Sequence, residues 1–216
     1  MLGPNGAGKT TLFSLITGLF AHRVGRISIG DIDIGSNRSA ALTSLGVVFQ
    51  AQTLDLDLTV AQNLSYFCAL RGMARADAKH RIEEALDHMG MAHRAGEKVR
   101  NLNGGHRRRV EIARASIGEP KLLLLDEPTV GLDIPTRKSL IASLHDKSDP
   151  TAAVLWATHL IDEVGPTDRV LVLHEGRLVA DGNAEDFLKQ SGTTNLSDAF
   201  TAVTSESPKA PVGVTR

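Results

Sequence analysis

The chain has a single cysteine in 216 residues, Cys68, and this excludes an intrachain disulfide. Such usage fits a reducing compartment. Within Tyr66-Phe67-Cys68-Ala69-Leu70 the thiol reads as a packed side chain rather than a nucleophile. An excess of either charge is also missing: 24 Lys and Arg stand against 25 Asp and Glu, a net charge of −1. That balance makes no electrostatic case for nucleic acid or for a membrane surface. Long apolar runs are lacking too. The longest, residues 152–157, falls far short of the ~18 residues a membrane span requires. If the protein works at a membrane, another polypeptide does the crossing. Met1 leads straight into a glycine-rich motif, so the sequence as it stands predicts no signal peptide.

Glycine is present where phosphate chemistry uses it. Gly3-Pro4-Asn5-Gly6-Ala7-Gly8-Lys9-Thr10 fits the pattern G-x-x-x-x-G-K-[ST], and Thr11 follows. Small residues let successive backbone N–H groups curl round two phosphates, Lys9 supplies a point charge, and the Thr10 hydroxyl suits Mg²⁺. The loop opens a helix predicted over residues 10–17, whose N-terminal dipole favours the same anion. Such a loop needs a buried strand leading into it. Only Met1 and Leu2 precede Gly3, and Leu2 reads as the last residue of that strand.

Short apolar runs at 46–49, 122–125, 153–157 and 170–173 predict buried strands. Continuous apolar runs suit a parallel sheet covered on both faces, and helical patterns alternating with the later runs make the fold α/β. Residues 25–34 alternate instead, as an antiparallel pair turning at Gly30-Asp31 would. Helical periods at 60–70 and 75–89, with no strand between them, predict an inserted all-helical subdomain. The chain therefore reads as the first part of a P-loop core (1–49), a helical subdomain (50–101), the rest of the core (102–182) and C-terminal helices (183–204). The first of those helices covers 184–190. The second sets Leu196, Ala199, Phe200 and Val203 on one face. Residues 205–216 have the composition of a disordered tail.

Leu122-Leu123-Leu124-Leu125-Asp126-Glu127-Pro128 carries the other half of the chemistry. A central strand would end at Asp126, placed to hold Mg²⁺ through water, and Glu127 would orient and deprotonate an attacking water. Phosphoryl transfer demands mainly positioning and charge neutralisation, so a metal, a lysine and one carboxylate base are the expected parts.

Leu102-Asn103-Gly104-Gly105-His106 opens a helix predicted over 107–116, ahead of the Asp-Glu strand. It resembles the LSGGQ signature of ATP-binding-cassette (ABC) ATPases. The rest of that family's set follows in order. Gln50 resembles the Q-loop glutamine, Gly131-Leu132-Asp133 the D-loop, and Ala157-Thr158-His159 the switch histidine. The resemblance runs from Gly3 to about Val203. It implies a P-loop NTPase core with a mostly parallel sheet and an inserted signature subdomain. It also implies an ATPase coupled to transmembrane transport, with ATP and Mg²⁺ as cofactors. Two cassettes, as a homodimer or a paired cassette, would close head-to-tail over two ATP molecules. Gly3, Pro4, Asn5, Gly6, Ala7, Gly8, Lys9, Thr10 and Thr11 of one cassette would face Asn103, Gly104 and Gly105 of the other. Thr10, Gln50 and Asp126 would serve the metal. Glu127, His159 and Gln50 would serve catalysis, and Asp133 would couple the two sites.

The resemblance has departures. Asn103 stands where serine is usual and His106 where glutamine is usual; an asparagine can still donate to phosphate, so activity is expected to survive with altered affinity. The basic run Arg107-Arg108-Arg109 reads as the solvated flank of the signature helix. ABC ATPases also carry a few dozen residues ahead of the phosphate loop, including strands and an aromatic that stacks on adenine. No Tyr or Trp lies near the loop here. The expectation is an N-terminally truncated record, as a fragment or a start set too far downstream. Lack of the central strand would cost a stability comparable to a whole domain's ~5–15 kcal/mol.

A single cassette without a span implies a separate integral-membrane permease and a peripheral place on the cytoplasmic face of the inner membrane. Asn195-Leu196-Ser197-Asp198-Ala199-Phe200 resembles the short ending common in single cassettes of exporters. Residues 48–58 and 102–110 resemble, more narrowly, the cassette encoded beside pyrroloquinoline-quinone-dependent alcohol dehydrogenase systems. The segment after Gln50, with Leu54, Tyr66 and Phe67, is where a permease helix would dock; packing is the other reading of those aromatics. A soluble ABC ATPase acting on ribosomes or DNA, and an inactive remnant, stay open as alternatives.

Overall fold

A computed structural model describes residues 1–145, 152–191 and 196–205. Its helices are α1 (Lys9–Ile16), α2 (Arg38–Thr43), α3 (Val60–Leu70), α4 (Arg75–His88), α5 (Gly104–Ser116), α6 (Ile134–His145), α7 (Ala184–Ser191) and α8 (Leu196–Ser205). Its strands are β1 (Ser28–Ile29), β2 (Ile32–Asp33), β3 (Leu45–Val48), β4 (Leu122–Asp126), β5 (Ala153–Ala157), β6 (Arg169–His174) and β7 (Arg177–Asn183). Among the described residues no helix is long and apolar enough to cross a membrane. Two compact units result: residues 1–12 with the described residues from 157 onward, and residues 13–156.

The second unit is built on a three-stranded sheet in the order β3-β4-β5. β3 and β4 run parallel, Leu45 beside Leu122 and Val48 beside Leu125. Continuous apolar runs form these strands because both faces are covered, as in buried parallel sheets. Gly46 has no side chain for a visible reason: a Cβ there would lie 2.4 Å from the Ala115 carbonyl oxygen of α5. One apolar core joins Val48, Leu123 and Leu125 of the sheet to Val60 and Leu64 of α3, Leu86 of α4 and Val110 and Ile112 of α5. Residues 50–101 hold α3 and α4; their one strand-like feature is an isolated antiparallel bridge, Thr59 with Lys98. A full capping box starts α3, the Thr59 hydroxyl accepting from the Gln62 N–H and the Gln62 side chain from the Thr59 N–H. β1 and β2 pair antiparallel round Gly30, whose φ of +56 lies in the left-handed region that glycine tolerates.

In the first unit, Leu2 is a strand of one residue. It bridges Thr158 and Val172, both in parallel sense. Its N–H donates to Leu171 at 2.7 Å and its carbonyl accepts from Leu173 at 2.8 Å. β6 meets Leu2 in the parallel sense that its apolar run predicts, and its longer ladder, with β7, is antiparallel. The cause is a two-residue turn, Glu175-Gly176, with φ of +47 and +74; positive φ at both positions is the type I′ geometry that suits a tight hairpin. β7 was not foreseen, because it lies at the surface and its residues neither run apolar nor alternate cleanly. Leu2, Val170, Val172, Ala184 and Ala199 form this unit's core, with Leu196 and Phe200 of α8 against it. The α8 face thus packs through Leu196, Ala199 and Phe200; the Val203 side chain, Asn195 and the tail from 206 onward lie outside what the structure describes.

Candidate functional site

The phosphate loop takes its shape from a few short contacts. The Ala7 N–H closes a turn onto the Pro4 carbonyl at 3.1 Å, with Asn5 and Gly6 exposed at the tip. Gly6 and Gly8 have φ of +82 and +103, where a side chain would be strained. Gly3 is fixed by crowding, since a Cβ there would lie 2.6 Å from the Leu173 carbonyl oxygen. The β6–β7 turn braces the loop from below, the Gly176 N–H donating to the Ala7 carbonyl at 2.8 Å. Lys9 is buried, its Nζ donating to the carbonyls of Gly3 at 2.7 Å and Pro4 at 3.2 Å. α1 begins at Lys9, one residue earlier than expected, and carries Thr10 and Thr11 exposed on its first turn. A helix start, a buried ammonium and hydroxyls on one turn are the parts from which an anion site is built. In the same unit, His159 is exposed one residue beyond Thr158, the partner of Leu2, where the Thr158 hydroxyl accepts from the Leu160 N–H and turns the chain.

The second unit holds the carboxylates. β3 and β4 are neighbours with Val48 opposite Leu125, so Gln50 and Glu127 each lie two residues past the same rung. Gln50 Nε2 sits 3.5 Å from Glu127 Oε2. Asp126 and Glu127 are 3 % and 8 % exposed, which takes both largely out of bulk water. Glu127 has φ +47 immediately before Pro128. A non-glycine residue held there is locally strained, and such strain gathers at functional sites.

The signature segment and the α6 start form a second cluster in this unit. Asn103 caps α5, its Oδ1 accepting from the His106 N–H at 2.8 Å, so the helix opens at Gly104 rather than at 107 as expected. The asparagine amide keeps its N–H groups as donors. Burial and the neighbouring Arg94 and Arg109 lower the His106 pKa and favour a neutral imidazole. Asp133 caps α6 with both oxygens, accepting from the Thr136 N–H at 2.9 Å and its hydroxyl at 2.8 Å. Those bonds hold its carboxyl below the usual range. The cap is present above the ordinary carboxylate pKa and is lost only as pH falls through the depressed one.

Gly105 touches that cap. A Cβ on Gly105 would lie 2.2 Å from Thr136 Cγ2, so Gly105→Ala must displace the threonine that holds Asp133. Helix propensity favours alanine by about 1 kcal/mol, whereas such overpacking costs about 1–3 kcal/mol. We expect Gly105→Ala to lower the urea midpoint, and Thr136→Ser, which removes Cγ2 but keeps the hydroxyl, to restore it. Equal loss in both backgrounds would show that the Thr136 methyl is not the obstacle.

The basic run at 107–109 is a correction. It is not a solvated flank. Arg108 is 6 % exposed and pairs with Glu111, itself 1 % exposed, at 2.9 Å. Arg107 donates to the carbonyls of Val99 and Arg100, and Arg109 to that of Met89 and to the Ser139 hydroxyl. Opposite charges at 108 and 111, three apart on a helix, were the available signal. On α3, Tyr66 is exposed whereas Phe67 lies under the guanidinium groups of Arg71 and Arg114. Cys68 is buried, and burial pushes its thiol pKa up.

A phosphate loop opening a helix and carboxylates ending a parallel strand define an α/β P-loop NTPase. The fold agrees: a solved structure of the ATP-binding subunit of an ABC transporter superposes with a TM-score of 0.81 at 26 % identity, over 94 % of this chain and 86 % of that one. The ABC transporter family model matches residues 1–130, and the chain belongs to that family. The linearmycin resistance ATP-binding protein LnrL of Bacillus subtilis is 34 % identical over 193 residues, 89 % of this chain and 62 % of LnrL. The Nod factor export ATP-binding protein I of Neorhizobium galegae is 36 % identical over 183 residues, 84 % of this chain and 53 % of that protein. The chain thus spans between half and two thirds of these curated relatives' length.

Proposed function

We propose that this chain is the ATP-binding and ATP-hydrolysing subunit of an ABC transporter, driving a separate integral-membrane permease by closure of two cassettes over ATP. The observation that carries the hydrolytic part is the Gln50–Glu127 contact of 3.5 Å at the ends of neighbouring parallel strands. Glu127 is the base that takes a proton from water, and Gln50 orients that water. Lys9 and the loop N–H groups hold the β- and γ-phosphates, and His159 holds the γ-phosphate. Asn103, Gly104 and Gly105 serve the nucleotide of the partner cassette, and Asp133 couples the two. Mg²⁺ takes one or two carboxylates, phosphate oxygens and water rather than an all-protein cage. The donor set fits that habit: among the described residues no three His, Cys, Asp or Glu cluster as a metal site, while Asp126 is a buried carboxylate at a strand end. Thr10, Asp126 and Gln50 are the residues for it. Bound Mg²⁺ neutralises the phosphate charge.

Export is the direction the relatives support, through the named roles in linearmycin resistance and Nod factor export. On this reading the protein sits peripherally on the cytoplasmic face of the inner membrane, with α3 toward its permease and no nucleic acid as partner. The narrower likeness at 48–58 and 102–110 points to a place beside pyrroloquinoline-quinone-dependent alcohol dehydrogenase systems. Affinity purification from detergent-solubilised membranes of the source cells tests the transporter assignment. Recovery of an integral-membrane protein that stimulates ATP hydrolysis is expected. Co-sedimentation with ribosomes instead would overturn it.

A further inference from the structure

The loop that carries Gln50 is held by side chains of one helix. Arg108 Nη1 donates to the Phe49 carbonyl at 2.7 Å and to Glu111 Oε2 at 2.9 Å, while its Nη2 donates to the Gln50 carbonyl at 3.0 Å. Glu111 Oε1 accepts from the Thr53 N–H at 2.7 Å and from the Thr53 hydroxyl at 3.2 Å. Arg114 closes the set on the Thr53 carbonyl at 3.2 Å and on its hydroxyl. Side chains of α5 therefore take the carbonyls of Phe49 and Gln50 and both backbone groups of Thr53.

Gln50 and Thr53 are themselves exposed, whereas Arg108 and Glu111 are buried. A loop at the surface is thus tied to a rigid charged pair beneath it. Removing two charges from water costs several kcal/mol per ion, and a well-packed apolar pair of similar volume is often as stable. Stability alone is a weak account of this pair. Its geometry offers a different one. Two successive carbonyls, of Phe49 and Gln50, rest on one planar guanidinium, which fixes the peptide between them and the direction in which the Gln50 side chain leaves the backbone. A lysine is a point charge and cannot hold both carbonyls and the carboxylate in one plane. The same guanidinium feels the charge of Asp126 as well as Glu111.

We infer that Arg108 and Glu111 are positioning residues for hydrolysis: the buried pair on the signature helix sets the backbone of 49–53 so that Gln50 meets Glu127. The assignment rests on the ATPase reading above. It makes the helix that serves the partner's nucleotide also the frame for this cassette's own attacking water.

The test is the double variant Arg108→Met/Glu111→Leu in the full chain, because removal of one partner alone leaves a buried charge uncompensated. It is expected to melt cooperatively, to bind ATP with KM within about twofold of wild type, and to lose about tenfold to a hundredfold in kcat, the scale of a misplaced catalytic group. Exchange at the Thr53 amide, measured by hydrogen–deuterium exchange, should accelerate more than about tenfold on loss of the Glu111 acceptor. Wild-type kcat in a folded double variant overturns the inference. A merely structural role would lower the melting midpoint and leave kcat of the folded fraction unchanged. Should the double variant not fold, Arg108→Lys, which keeps the charge and loses the fork, carries the same expectation of lower kcat at unchanged KM, and wild-type kcat there overturns it. If the wild-type chain hydrolyses no ATP, the ATPase reading fails and the positioning role falls with it. The Thr53 exchange separates the two failures, since unchanged exchange means that the pair does not hold the loop at all.

Discussion

Glu127→Gln is expected to leave ATP bound and to slow its hydrolysis by at least about 10²-fold, the low end of what a positioned general base contributes. The substitution is nearly isosteric, so the left-handed backbone at φ +47 before Pro128 makes the same demand on either side chain. An amide at this position still meets Gln50, which lies 3.5 Å away, but it takes no proton from water. Binding and chemistry therefore separate. Phosphate-loop contacts at Gly3, Lys9 and Thr10 are untouched, and nucleotide should stay with the protein through gel filtration. Quenched-flow phosphate release from the variant checks this; turnover at the wild-type rate would remove Glu127 from the role of base.

Lys9→Ala should act on the other half of the reaction, weakening ATP binding about tenfold to a hundredfold. That range follows from the ~1.5–3 kcal/mol of a hydrogen bond to a charged group at 1.4 kcal/mol per tenfold. The Lys9 ammonium lies on the carbonyls of Gly3 and Pro4, so it both closes the loop and presents its charge there. The loop keeps the Ala7–Pro4 turn and the Gly176–Ala7 bond without it, and the melting midpoint should shift little. Calorimetric titration with ATP separates these effects. An unchanged Kd would mean that phosphate is not bound over Lys9.

What could be read from sequence, and what could not, divides by physical cause. α3 and β5 have the bounds read for them, because a capping box and a run of large apolar residues mark their limits locally. α5 began three residues earlier than expected, since two glycines obscure a helix start that Asn103 caps. α6 carries no clear apolar stripe, and Leu140 alone is buried along it, so its pattern gave no signal. β7 exists because a turn folds it back on β6, a cause that lies outside its own residues. The site divides the same way. Gln50 and Glu127 were named from motifs, and the shared rung of β3 and β4 explains their meeting. A basic run on a helix usually faces water, so Arg108 reads as solvated; Glu111 three residues on is the one local sign of its pairing, and the partners that complete the account, the carbonyls of Phe49 and Gln50, are tertiary.

The central claim is that two copies of this cassette turn over ATP with Glu127 as base. It is tested most directly by steady-state release of inorganic phosphate from MgATP by the full chain, followed against protein concentration, with Glu127→Gln alongside. The account predicts release that saturates with ATP, a rate per chain that rises with protein concentration as pairs form, and near-silence in the variant. No release at any concentration, or equal release from wild type and variant, would contradict it.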